Sequence, residues 1–161
     1  MNQSLEETIN LAVFADNAVV VIERIESPKA LRTNLVLGGH LPAHCTAFGK
    51  TFLADMTEDA LERFVSEAPL EPFTKNTITA IQALKKELAR VRKDGFALDN
   101  QELAEGVHCI AAPIKDESKR VIAAVSVSTP SSRISKEQLL AFKPSIVGAT
   151  TEMSRILGFR Q

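Results

Sequence analysis

The run GVHCIAAPIKDESKRVIAAVSVS, residues 106–128, holds two apolar stretches around a polar, turn-forming centre. It reads as two antiparallel strands joined by a hairpin through KDESK. Adjacent strand residues face opposite ways, so Ser126 and Ser128 share one face of the second strand while Val125 and Val127 occupy the other. A turn over Asp116 to Lys119 pairs residues whose numbers sum to 235, setting Cys109 opposite Ser126 and Val107 opposite Ser128. Two hydroxyls and a thiol then look the same way. The other reading is two serines on the exposed face of an edge strand.

A second hairpin is expected near the other end. AVFADNAVVVIERIES gives two strands within residues 12–27, turning at Asp16-Asn17, a pair that tolerates left-handed geometry. Ahead of it, SLEE at 4–7 reads as a capping box that starts a helix almost at Met1, with Ser4 as the cap and Glu7 reaching back. LRTNLVL alternates apolar and polar and predicts a strand, after which Gly38-Gly39 and Pro42 make a loop. TAFGKTFLADM predicts a short buried helix and TEDALERFVSEAP another, capped by Thr57. In the next helix Thr79 to Gln82 repeats the capping-box pattern, Ile81, Leu84, Leu88 and Val91 form the apolar face, and Gly95 is the stop. GFALD adds a strand. SKEQ at 135–138 caps a last helix that Pro144 kinks or divides. The class is α/β, a mostly antiparallel sheet with helices packed on it.

At 161 residues the chain is sized for one domain. Nineteen basic against twenty acidic side chains leave no excess positive charge for a phosphate backbone, so DNA or RNA binding by this chain alone is not expected. No apolar run is long enough to span a bilayer, MNQSLEETINL lacks the marks of a secretion signal, and two Cys make no disulfide framework; the expected compartment is the cytoplasm.

LPAHCTAFGK, residues 41–50, gathers the residue types of a catalytic or metal centre. A Cys45 or Cys109 nucleophile would need His44 or His108 as base and Asp99 as orienter. Strand neighbours point apart, however, so neither His-Cys pair can act within itself. The same geometry, without C-x-x-C or H-x-x-x-H spacing, keeps these residues from converging on a metal ion. Buried cysteines and a loop histidine are the plainer reading. Thr46 suits an N-cap, leaving the amides of Ala47, Phe48 and Gly49 at a helix start where the dipole favours an anion, and Gly49 permits a close approach. A capped helix with a glycine chosen for packing explains the same residues.

LPAHCTAFGK resembles the L-P-x-H-x-T-A-x-G-K block of the effector-binding domain of IclR-family transcriptional regulators. GFALDNQELAEGVHCIAAPIKD is similar to that family's second block, and RVIAAVSVSTPSSRIS to its A-x-S-x-S-G-P-x-x-R segment. With the N-terminal hairpin, the resemblance runs from about residue 5 to the end. It implies a GAF-like domain with a six-stranded antiparallel sheet, no catalysis and no cofactor. It implies also a small carboxylate effector, held by Ala47 and Phe48 at the helix start, Leu41 as an apolar wall, Asp99, Cys109, Ser126 and Ser128. A homodimer or tetramer is implied, with DNA contacted only through a winged helix-turn-helix ahead of this domain, for which residues 1–161 leave no room. Lys115 and Thr129 depart from the usual residues, and Phe48 is bulkier than the family's small or aliphatic residue, which predicts a narrowed pocket and a compact ligand. A dimerisation module without ligand, or a Cys109-dependent hydrolase, are the rival functions.

Overall fold

A computed structural model describes residues 5–160. Strands β1 (Thr8–Ala15), β2 (Ala18–Ile25) and β3 (His40–Pro42) come first, followed by helices α1 (Ala47–Leu53), α2 (Glu58–Glu67) and α3 (Ile81–Asp94). Strands β4 (Ala97–Asn100), β5 (Val107–Lys115) and β6 (Val121–Pro130) lead to helices α4 (Lys136–Leu140) and α5 (Lys143–Ile156). The six strands form one sheet in the order β3-β2-β1-β6-β5-β4, antiparallel at every pairing.

Two three-stranded halves therefore meet at the β1–β6 seam, and each face of the sheet carries a core. Alanines 12, 97, 111 and 124 line one face, and their small side chains admit α1 with its Phe48, Phe52 and Leu53. Leu84 and Leu88 of α3 close that core from outside; complete burial of each contributes roughly 1.5–3 kcal/mol. On the opposite face Ile9, Ile110, Val125 and Val127 pack with Leu139 and Ile146 of α4 and α5.

Local chemistry explains most boundaries. Asp16 and Asn17 have φ of 51° and 59°, the left-handed pair of a type I′ turn matched to strand twist. Thr57 and Ser135 cap α2 and α4, the latter with a complete capping box. Gly95 ends α3 at φ 75°, and Pro144 divides the last helical stretch by lying in the first turn of α5.

Four expectations are corrected. The Ser4 cap lies outside the described residues, but the helix it would start does not continue: the chain is a strand from Thr8, and Glu7 is not a cap. Glu7 is fully buried and accepts from Arg133 at 2.9 and 2.6 Å and from Lys29 at 3.0 Å. Burial alone would raise its carboxyl, yet Arg133 and Lys29 outweigh it and hold the group below the ordinary range. LRTNLVL is irregular chain, and the third strand falls at His40–Pro42. Ala80, with no side-chain bond, precedes α3 where Thr79 was expected to cap. In the β5–β6 hairpin the turn takes residues 116–120, and a further shift falls between Ile114 and Lys115. Two offsets of one make two, so Cys109 pairs with Ser128 and Val107 with Pro130, and an even slip leaves every side chain on its expected face.

Candidate functional site

Sheet register builds the floor of the site. Asp99 pairs with Cys109, Cys109 with Ser128 and Ser128 with Thr8, a polar row running straight across β4, β5, β6 and β1. In the next row Ser126 faces Asn10. Cys109 donates from Sγ to Ser128 Oγ at 3.2 Å, and the buried Asn10 Nδ2 donates to Ser126 Oγ and Ser128 Oγ at 3.4 and 3.3 Å.

Above this floor lies a cavity of about 360 Å³. Leu41, Ala47, Phe48, Asp99, Cys109 and Ser128 all line it, so six of the seven residues expected at the site surround one space. Ser126 does not; it is wholly buried one row along, beneath Asn10. Phe48 belongs both to the cavity lining and to the core under α1. The segment between β2 and β3 supplies a further wall, from Leu31 to Leu35.

Thr46 is the N-cap of α1: its hydroxyl accepts from Gly49 N at 3.1 Å and donates to Pro42 O at 3.0 Å. The first amides, at Ala47 and Phe48, have no intrahelical acceptor. Gly49 has the packing role: a Cβ there would lie 2.0 Å from the Ala43 carbonyl oxygen, so what approaches it closely is the chain's own backbone.

Under the cavity lies a buried charge cluster. Lys50, 1% exposed, donates to Glu102 Oε1 at 2.6 Å and stands 3.6 Å from Glu87 of α3. Glu102 N donates to Asp99 Oδ1 at 2.7 Å. Burial is the main cause that pushes the Asp99 carboxyl up to about 7; the Glu102 charge adds to it, while the Glu102 amide and Lys50 work the other way. Burial also presses Glu87 upward, but Arg90 and Lys50 prevail and hold it below the ordinary range.

The Asp99 shift fixes a pH dependence. Between the ordinary value of 3.8 and about 7, the folded chain keeps a proton that the unfolded chain has lost. The Asp99 contribution is therefore fully present below pH 3.8 and is lost as pH rises through about 7. Asp99→Asn should gain stability relative to the native chain as pH climbs across that window, read from paired thermal melts. A difference that stays flat from pH 4 to pH 8 would remove the assignment.

The site has no activated nucleophile. Burial first, then the Asp99 charge, raises the Cys109 thiol far above its ordinary range, against a smaller opposite effect of Ser128. Burial likewise pushes Cys45 up to about 12. His44 Nε2 is 3.0 Å from the Glu71 carbonyl oxygen and His108 Nδ1 3.2 Å from that of Ile134, so both rings face other partners.

Asn10, Thr8, Glu102 and Thr33 complete the site and were not expected in it. Thr8 and Asn10 alternate with Ile9 and Leu11, a period-two signal that the apparent capping box beside them obscured.

The fold is thus an α/β domain in which a six-stranded antiparallel sheet carries helices and a polar-floored cavity. The family described as bacterial transcriptional regulator IclR, C-terminal, matches residues 1–155, and the chain belongs to it. Among its relatives, the probable transcriptional regulator SauR of Cupriavidus necator is 37% identical over 147 residues, covering 91% of this chain and 58% of SauR. The transcriptional repressor IclR of Escherichia coli K12 is 33% identical over 154 residues, covering 94% and 56%. The C-terminal domain of the E. coli transcriptional regulator KdgR superposes with a TM-score of 0.87 at 32% identity, covering 98% of this chain and 92% of that one. These relatives regulate transcription and are not enzymes, and the chain spans a little over half the length of the two curated ones. No helix among the described residues is long and apolar enough to cross a membrane.

Proposed function

We infer that this domain is an effector sensor that binds a small organic acid in the cavity. In the longer regulator, the bound acid controls the DNA-binding competence of a homodimer or tetramer through a winged helix-turn-helix module ahead of residue 1. The observation that carries this reading is the convergence of Asp99, Cys109, Ser128 and the first residues of α1, Ala47 and Phe48, on one apolar-walled cavity. A carboxylate there can accept from the Ala47 and Phe48 amides and the Ser128 hydroxyl by charge-assisted bonds, while Asp99 takes a hydroxyl of the ligand. Ser126 acts at one remove, holding Asn10, which holds Ser128. Response requires only that the acid bind two arrangements of the oligomer with different affinity.

Calorimetric titration with pyruvate, glyoxylate, lactate, sugar-derived acids and aromatic acids tests the reading. Saturable binding of one acid is expected, weakened about tenfold or more by Ser128→Ala or Asp99→Asn and less by Ser126→Ala. A folded protein that binds none of them, or one whose affinity ignores Ser128 and Asp99, would contradict it and favour a dimerisation module without ligand.

A further inference from the structure

Residues 27–37, between β2 and β3, wall the cavity without forming helix or strand. Leu31, Val36 and Leu37 are each more than half exposed, so apolar burial does little to hold this stretch in place, although Leu35 touches the core beside α1. Leu31 and Leu35 nonetheless line the cavity. Two arginines fix them by their carbonyl oxygens: Arg24 of β2 bonds that of Leu35, and Arg133, from beyond β6, donates to that of Leu31 at 2.7 Å. Arg24 belongs to the strand that leads into the segment. Arg133 reaches it from the other half of the sheet.

Arg133 uses every nitrogen of its fork. Nη1 takes the Leu31 carbonyl, while Nε and Nη2 donate to the Glu7 carboxylate at 2.9 and 2.6 Å. Glu7 is fully buried at the head of β1 and accepts also from Lys29, within the segment, at 3.0 Å. Ser27 Oγ donates to the Glu6 carbonyl at 2.7 Å, so the start of the segment is tied to the same place. A planar guanidinium can hold a carboxylate with one edge and a carbonyl with the other, which a single ammonium cannot do in the same geometry. We propose that residues 27–37 are a strap that gates the cavity, and that Arg133 is its clasp, a positioning residue that locks the strap to Glu7. Opening breaks the bond to the Leu31 carbonyl while the buried Glu7–Arg133 pair stays intact, so the strap moves against a fixed anchor. A ligand that touches Leu31 and Leu35 from inside stabilises the clasped form alone, and occupancy and clasping then favour one another. The inference rests on the effector-sensor reading of the cavity, but its test uses no effector, so the two can fail separately.

The chain carries its own reporters, because Cys109 lines the cavity and is partly exposed, whereas Cys45 is wholly buried. Strap opening is read as the rate at which N-ethylmaleimide alkylates Cys109, located by peptide mass, in the native chain, in Arg133→Lys and in Glu7→Gln at one pH. Arg133→Lys keeps a cation for the buried Glu7 and gives up the second edge of the fork. It should label Cys109 about tenfold faster than the native chain with Cys45 unchanged, as expected for the loss of one bond from a charged donor. Glu7→Gln weakens the anchor and should accelerate Cys109 by a smaller factor. Equal Cys109 rates in the native chain and Arg133→Lys overturn the clasp. Cys45 accelerating in step with Cys109 also overturns it, because the substitution has then loosened the whole domain and not the strap. A native Cys109 that labels as fast as in the urea-unfolded chain overturns the gate, since the cavity would already stand open.

Discussion

Gly49→Ala should cost the domain at least about 3 kcal/mol, enough to remove a large share of the stability that a chain of this size ordinarily has. The added methyl would sit 2.0 Å from the Ala43 carbonyl oxygen and 2.2 Å from the Ala43 Cα. Both are backbone atoms, so no side chain can rotate to make room. Relief requires α1 to slide away from the turn before it, which breaks the Thr46 cap and withdraws Ala47 and Phe48 from the cavity. Gly148→Ala is the control, because a Cβ there meets nothing within 4 Å and an alanine within helix α5 should gain about 0.5–1 kcal/mol. Thermal and urea melts of the two variants should therefore move in opposite directions. A Gly49→Ala protein that melts like the native chain would show that α1 does not lie this close to Ala43.

The second large effect belongs to Lys50. Lys50→Met removes the only cation bonded to the buried Glu102 among the described residues and leaves that carboxylate in the interior, where losing a partner costs about 3–5 kcal/mol. Melting should drop by roughly 10 °C. Adding Glu102→Gln should recover part of the loss, because the stranded charge goes with it. A single variant within about 1 kcal/mol of the native chain, or a double variant worse than the sum of the singles, would contradict the burial of this pair.

The sequence made legible whatever depends on period and punctuation. The two hairpins, the α3 stripe of Leu84, Leu88 and Val91, the stop at Gly95 and the break at Pro144 all follow from rules that act within a few residues. Face assignment of Cys109, Ser126 and Ser128 survived a wrong register because only the parity of the slip matters. Tertiary events were hidden. Glu7 mimics a capping box, but its partner Arg133 lies 126 residues away. LRTNLVL alternates like a strand, yet its backbone is held by arginines from β2 and from beyond β6 instead of by a neighbouring strand. Lys50 and Glu102 become a pair only once α1 packs on the sheet.

The seam between the two halves of the sheet has a temporal meaning. Leu41 and Thr33 belong to the first half, while Asp99, Cys109 and Ser128 belong to the second, so neither half encloses the cavity by itself. Joining them brings Asn10 against Ser126, 116 residues further along the chain, a contact whose closure entropy must be met before any ligand can contribute. A chain still on the ribosome, with β6 not yet released, has no receptor to fill. The cavity exists only once the last strand, β6, has joined the first, β1.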